Sequence, residues 1–565
     1  MLSIERGETI LVKAPQYEVR IKNGTFAVKT GGETFFELSV RSELQKGEQP
    51  DRDEEVLAFD FTETESGAEA LWLSRSGLWE KKEYRLTFTE AGFLYRMKVW
   101  GQGRVGRLNF FTGAGAERYK GSRYDFSRYF TPVALGGGNE ARYFTPVQPG
   151  VLDLNYLTPP LLCYPFNLED IPQWFGLGLA ARDGQYNFDS FYYQFHQDRA
   201  GGRFSLSTDF LDYTEVKDSW EAPGIVGIPG DSEFTVLQNY SRWHYDSGYC
   251  KKREAGNEPF WYGPFFCGWG EQGRMDPEDP FSRANEKDYQ TMLKTLEELG
   301  LKPAAVIIDD KWQKSYGEAL PDPGKWPDFR RFVDEQHEKG RKVVLWFKSW
   351  NCEGLPADEC VSIWSQPLGA DPTNPKYQER LRQTLYKLLS ADAGCYNCDG
   401  FKIDFANCMP LGKNLRIHEP GVYGIELLKR FFKLMYTCSK AAKPEALINC
   451  SCCHPYFAEV TDQGRLHDYC GGLRNSKQVM AFRKKLFSAA MPGVLLDTDS
   501  ASFSNYRDTM EYMRYAPSLG VPDLYTLSST PEVSLTQEDW AEIRTLWERY
   551  SQSLKSSGAE TEKSL

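Results

Sequence analysis

The sequence predicts two architectures in series, an N-terminal all-β sandwich followed by a (β/α)8 barrel of the TIM type. Up to about residue 240, short segments alternate apolar and polar residues and break at Gly, Asn, Asp and Pro turns, the pattern of packed antiparallel sheets. From about residue 258, apolar runs of strand length alternate with amphipathic helices, which calls for parallel β/α units. Eight such runs can be drawn, the number a closed barrel needs. The expected division is 1–245 for the sandwich and linker, 246–555 for the barrel, and 556–565 for a polar, disordered tail.

In chain order, the sandwich strands are expected at Tyr17 to Ile21, Thr25 to Lys29, Thr34 to Val40, Tyr84 to Phe88, Phe93 to Trp100 and Arg203 to Ser207. The string Gly101-Gln102-Gly103-Arg104-Val105-Gly106 has dinucleotide-site spacing, but it runs into a strand-like segment where a phosphate site needs a helix N-terminus; a turn is expected. The barrel strands are expected at Pro264 to Gly268, Ala304 to Asp309, Lys342 to Trp346, Gly400 to Asp404, Ala446 to Cys450, Arg465 to Asp468, Gly493 to Asp497 and Val521 to Thr526. Between them, a helix over Glu286 to Leu299 buries Tyr289, Met292, Leu293 and Leu296 and stops at Gly300. Another starts with Asn374 as cap and Pro375 in its first turn, and a last one lies near Gln537 to Leu554.

Composition narrows the function classes. The balance of 67 basic against 79 acidic residues gives a net charge of -12, with no basic block to track a phosphate backbone, so nucleic acid is not an expected partner. No apolar run reaches the ~18 residues of a membrane span, and the N-terminus has no basic region followed by an apolar stretch, so a cytoplasmic protein is expected. Thirteen cysteines, mostly in apolar patterns of the second half, fit reduced thiols better than a disulfide framework.

The chemistry is expected at the C-terminal ends of the barrel strands, where such folds place their sites. Those ends carry Asp309-Asp310, then Lys402 and Asp404, then Arg465 and Asp468, then Asp497 and Asp499. Several carboxylates around one pocket, without HExxH or clustered His/Asp spacing, suit glycoside hydrolysis, which needs one ionised carboxylate and one that donates a proton. Lys402 and Asp404 alternate with apolar Phe401, Ile403 and Phe405, so they share a strand face. The lysine is expected to keep Asp404 ionised as nucleophile. Asp468 is a candidate acid/base, with Asp462 and Glu459 as rivals.

Taken in order, Asp309-Asp310-Lys311-Trp312, Leu345-Trp346-Phe347, Asp371-Pro372-Thr373-Asn374-Pro375, Phe401-Lys402-Ile403-Asp404 and Asn449-Cys450-Ser451 resemble glycoside hydrolase family 36 of clan D. Gly268-Trp269 and the Asp-Asp-x-Trp string are closest to its raffinose synthase branch. The resemblance implies a β-sandwich ahead of the barrel and a retaining mechanism with Asp404 as nucleophile. It implies Asp468 as acid/base, matching the Asp that follows an Arg/Trp-x-Ser string, here Arg465-Leu466-His467. It implies that Asp309 and Asp310 bind sugar hydroxyls, that Trp312 and Trp346 wall the innermost subsite, and that Lys402 and Arg465 bond the sugar or the carboxylates; Trp269, Cys450 and Ser451 complete the substrate-binding set.

Three departures matter, the first two for the substrate more than for the reaction. Cys452-Cys453-His454-Pro455-Tyr456 stands where the family has a glycine run, so bulky side chains are expected on that rim; His467 stands where Ser is usual; and the C-terminal β-domain common in the family is not expected here. The Cys395-Tyr396-Asn397-Cys398 string lies too far from the Cys450 to His454 cluster for compact zinc spacing, and no metal or cofactor is expected. A cysteine nucleophile at Cys453, with His454 or His467, is a minor alternative. The expected activity is a retaining exo-α-glycosidase acting on α-galactoside-like oligosaccharides, with self-association left open. Its alternatives are a transglycosylase of the raffinose synthase type and a catalytically silent sugar-binding barrel.

Overall fold

The computed structural model describes residues 2–112, 114–116, 120–121, 157–168, 171–198, 201–253, 258–466, 469–470, 473–499 and 501–561. Among the described residues, the first half folds as two antiparallel sheets of eleven and nine strands. Strand Lys81–Thr89 buries every second side chain, so Tyr84, Leu86 and Phe88 enter the core while their neighbours stay wet. Phe36 sits at the centre of that core, with its ring 5.1 Å from Phe166, 6.1 Å from Phe175 and 5.4 Å from Phe204, all edge-on. The 101–106 string leads into strand Gly103–Phe110, which pairs antiparallel with Gly201–Asp209, so no helix follows it.

Helix α1, Glu233–Asp246, joins the halves. Ser232 caps it, the hydroxyl accepting from Thr235 N–H at 3.1 Å. Its Tyr240 lies so close to strand Trp174–Ala180 that a Cβ on Gly178 would come within 2.4 Å of the ring. The glycine is what lets the helix seat against the sheet.

The second half is a parallel barrel of eight strands: β1 Phe265–Cys267, β2 Ala305–Ile308, β3 Lys342–Lys348, β4 Gly400–Asp404, β5 Leu447–Cys450, β6 Gln463–Arg465, β7 Leu495–Asp497 and β8 Asp523–Leu524. Hydrogen bonding runs from β7 through β6, β5, β4, β3, β2 and β1 to β8, and a parallel bridge between Asp497 and Val521 closes the ring. Each expected strand has a counterpart, but β6, Gln463–Arg465, shares only Arg465 with the expected Arg465 to Asp468, of which 467 and 468 lie outside the described residues. Around them lie α2 Trp269–Met275, α3 Glu286–Glu298, α4 Phe329–Glu338, α5 Pro375–Leu389, α6 Gly424–Ala442, α7 Leu473–Ala490, α8 Tyr506–Tyr515 and α9 Gln537–Thr561. Helix α3 buries Tyr289, Met292, Leu293 and Leu296, as its periodicity requires, and Asn374 caps α5 by accepting from Lys376 N–H at 3.0 Å. Helix α9 continues through 556–561, which the sequence reading assigned to the polar tail. Among the described residues, no helix is long and apolar enough to cross a membrane.

The foot of β4 is pinned by Asp399, a fully buried carboxylate that accepts from His337 at 2.6 Å, Lys443 at 2.8 Å and Val343 N–H at 2.8 Å. Burial pushes its pKa up, but His337 and Lys443 outweigh this and hold it at about 2. The segment expected to rim the sugar site is instead the joint between the two halves. Cys452, Cys453 and His454 are fully buried; Cys453 N–H donates to Pro159 O at 3.0 Å, and His454 Nε2 lies 3.1 Å from Tyr240 OH on α1. The Tyr456 ring stacks on Tyr186 of the sandwich with centroids 4.0 Å apart. The sandwich and α1 give these bulky side chains an apolar surface to fill.

Candidate active site

Asp404 is the last residue of β4 and the centre of the strand-end constellation. The next residue, Phe405, turns at once into the left-handed region, with φ at 58°, and aims its N–H at Asp404 Oδ1 over 2.8 Å. Arg465 Nη1 lies 3.1 Å from the same oxygen, and the Trp346 indole N–H donates to Oδ2 at 3.2 Å. These donors favour the ionised carboxylate. Its side chain keeps 16% exposure while that of Arg465 has none, so the carboxylate is presented from a rigid floor.

Lys402 does not hold Asp404 as expected. Its Nζ donates to Asp309 Oδ2 at 3.1 Å and Tyr525 OH at 2.9 Å, and lies 3.6 Å from Asp499 Oδ1. Residues two apart on a strand share a face but sit ~6.6 Å apart along it, so Lys402 belongs to the layer beneath Asp404. Burial alone would lower the lysine's pKa; Asp309, Cys267 and Asp499 outweigh it and keep the ammonium charged. The cation beside Asp404 is Arg465, which also grips Asp499 Oδ2 through Nη2 at 2.7 Å and Nε at 3.1 Å.

Asp309 additionally accepts from the Cys267 thiol at 3.0 Å and from Asp310 N–H at 2.8 Å. Asp310 faces Tyr316, whose hydroxyl donates to it at 2.7 Å. Burial nevertheless pushes the Asp310 carboxyl up to about 6. Deeper still, burial and the charge of Asp499 raise Asp497, and burial followed by Asp497 raises Asp523 well above the carboxylate range. Neither oxygen of Asp523 has a hydrogen-bond partner among the described residues.

Trp346 lies against Asp404, but Trp312 does not wall the pocket. It is fully buried, its ring parallel to Phe329 at 6.0 Å and its indole N–H on Trp346 O at 2.8 Å; it braces β3 from behind. Trp269 opens α2, with its ring 5.8 Å from Phe281. Cys450 ends β5 and Ser451 follows it, both buried, with Cys450 Sγ 3.4 Å from Thr461 Oγ1. Asp468 and His467 lie outside the described residues. Of the rivals, Asp462 precedes β6 at the opposite end of the barrel, bound to Lys440 at 2.7 Å and to Ile448 N–H at 2.9 Å. Glu459 pairs with Lys429 at 2.9 Å.

Sequence reading missed Tyr525, Tyr316 and Cys267. Tyr525 and Cys267 fell inside expected strands, so their position at a strand end was the available signal; nothing local marks Tyr316. Among the described residues no group of His, Cys, Asp and Glu is placed to hold a metal ion.

No protein-family model matches the sequence, and no curated protein matches it. Solved structures do share the fold. A GH31 family sulfoquinovosidase from E. rectale, in complex with the aza-sugar inhibitor IFGSQ, superposes with a TM-score of 0.57 at 12% identity, over 94% of this chain and 82% of that one. The cycloalternan-forming enzyme from Listeria monocytogenes, in complex with a pentasaccharide substrate, gives 0.53 at 14%, over 96% of this chain and only 57% of its own length. The cycloalternan-degrading enzyme from Trueperella pyogenes, in complex with a covalent intermediate, gives 0.52 at 10%, over 96% and 83%. The chain shares the fold of these enzymes, an antiparallel β-sandwich leading into an eight-stranded parallel barrel.

Proposed function

We propose that the chain is a retaining, exo-acting glycosidase that hydrolyses terminal α-linked, α-galactoside-like sugars, with Asp404 as nucleophile and Asp468 as acid/base. Asp404 itself carries this reading: a partly open carboxylate at the end of the fourth barrel strand, kept ionised by Arg465, Trp346 and the Phe405 N–H. The motif order resembling family 36 supports it, as does the fold likeness to a GH31 enzyme, since both families belong to clan GH-D. Asp468 follows Arg465 by three residues, a span of at most ~11 Å of chain, and Arg465 touches Asp404.

In the first step a carboxylate oxygen of Asp404 bonds to the anomeric carbon. The bond to the leaving oxygen breaks, and that oxygen takes the proton of Asp468. In the second, water gives a proton to Asp468 and bonds to the anomeric carbon, and Asp404 departs with its electron pair. Asp309 and Asp310 would accept hydrogen bonds from sugar hydroxyls.

Asp404→Asn or Asp404→Ala is expected to abolish turnover across a panel of aryl α-glycosides of galactose, glucose and their 2-acetamido forms while leaving the circular dichroism spectrum intact. Near-normal turnover in either variant refutes the assignment. One structural neighbour is named as a cycloalternan-forming enzyme, which makes transfer to a sugar hydroxyl the reading to test beside hydrolysis; product analysis with excess acceptor separates them.

A further inference from the structure

The geometry points to Lys348 as the group that recognises a negatively charged substituent on the sugar, a carboxylate or sulfonate, so that the site takes an anionic glycoside in preference to its neutral counterpart. This rests on reading the strand-end pocket as a sugar site. Lys348 ends β3 and is the register partner of Asp404 on β4, so the two side chains leave the sheet side by side on the same face.

Every other cation of the site is matched to a carboxylate. Lys402 pairs with Asp309 and Asp499, Arg465 with Asp404 and Asp499, and Lys311 with Glu353 at 2.7 Å. Lys348 is different. Among the described residues its Nζ makes no ion pair within 4.0 Å and no hydrogen bond. It rests between two rings, 4.4 Å from the Tyr316 centroid and 4.9 Å from that of Phe405. The acids in its neighbourhood are already engaged: Asp310 by the Tyr316 hydroxyl at 2.7 Å, Glu353 by Lys311 and by Tyr316 N–H at 3.0 Å.

An ammonium held against ring faces is fixed in place without using any of its three N–H donors. A half-buried lysine otherwise extends its head into bulk water. Here the rings keep it beside the nucleophile, half-buried, with all donors available to whatever enters. A neutral hydroxyl would take one ordinary hydrogen bond from it; a carboxylate or sulfonate would take charge-assisted ones, about twice as strong. Phe405 also carries the N–H that orients Asp404, so the same strained turn serves the nucleophile and the cation.

A purely structural Lys348, there only to balance Asp404 and Asp310, predicts equal losses on all substrates when it is replaced. The test compares kcat/KM for 4-nitrophenyl α-galactoside and α-glucoside with their C6 carboxylate and C6 sulfonate counterparts, in wild type, Lys348→Met and Lys348→Arg. The expected result is that wild type prefers the charged member of each pair, that Lys348→Met lowers the charged-to-neutral ratio by about 10- to 100-fold, and that arginine restores part of it. A wild-type preference for the neutral member, or an equal loss on both in Lys348→Met, overturns the assignment. The carboxylate and sulfonate arms separate the two anion types. If no aryl glycoside of either charge is turned over, the glycosidase reading fails, and Lys348 is judged by calorimetry with free galacturonate against galactose. Tighter uronate binding that Lys348→Met abolishes supports the assignment; equal binding overturns it.

Discussion

At the scale of single residues, Asp310 shows how burial tunes a strand-end acid. Its folded-state pKa, about 6, stands above the usual 3.8 because burial penalises the charge more than the Tyr316 hydroxyl favours it. Between those two values the carboxyl is increasingly protonated in the folded protein and loses its capacity to accept two sugar hydroxyls. The expected outcome is that KM for the preferred glycoside rises as pH falls through about 6, and that this limb is absent in Asp310→Asn. A pH profile of kcat/KM for the two proteins checks it, and identical acid limbs would count against a substrate-binding Asp310. The sequence placed Asp310, Asp309 and Asp404 correctly at strand ends. It misassigned the lysine, because alternation shows which face a side chain takes and says nothing about the layer in which a long side chain finds its partner.

At the scale of elements, the hairpin Cys360–Ile363 and Gln366–Ala370, inserted after β3, turns through Trp364 and Ser365 alone. Both residues are left-handed, with φ at 47° and 68°, where two-residue hairpin loops normally use Asn-Gly. Trp364 is 77% exposed, so packing does not repay that strain. Trp364→Asn with Ser365→Gly is expected to stabilise the hairpin by on the order of 1 kcal/mol. The readout is hydrogen exchange at Ser362 N–H, which bonds Arg416 O at 3.1 Å; it should slow roughly fivefold, and unchanged exchange would refute the strain argument. Helix α3 was legible from its buried periodicity and the stop at Gly300, α5 from the Asn374 cap and Pro375, and β4 from the alternation of Phe401, Ile403 and Phe405 with Lys402 and Asp404. This hairpin was not, because its turn residues contradict its conformation.

At the scale of the whole molecule, the sandwich and barrel meet through buried aromatic and histidine side chains. Burial pushes His244 down to about 4, and burial with the charge of His244 pushes His454 well below 6.5, so both stay neutral in the fold. The unfolded chain takes up those protons near 6.5 and the folded one does not, so stability falls as pH drops from about 6.5 to about 4. His244 alone accounts for roughly 3 kcal/mol. Thermal melts at pH 7, 6 and 5 are expected to show a steeper loss in wild type than in His244→Phe, which removes that proton site. Equal slopes would place the acid sensitivity elsewhere. The buried carboxyls with raised pKa, Asp310 and Asp523 among them, act in the opposite sense, which is why the variant comparison is needed.

The sequence by itself determined the two-part architecture, the eight strands and the acidic strand ends, because these follow from local periodicity and from the geometry every parallel barrel shares. Tertiary structure decided who pairs with whom. Arg465 reaches Asp404 across two intervening strand connections, Lys402 spans the barrel floor to Asp309 and Asp499, Trp312 turns into the core, and the Cys452 to Tyr456 segment faces the sandwich. Those outcomes depend on which distant side chains converge on a point, and no local pattern along the chain encodes that convergence.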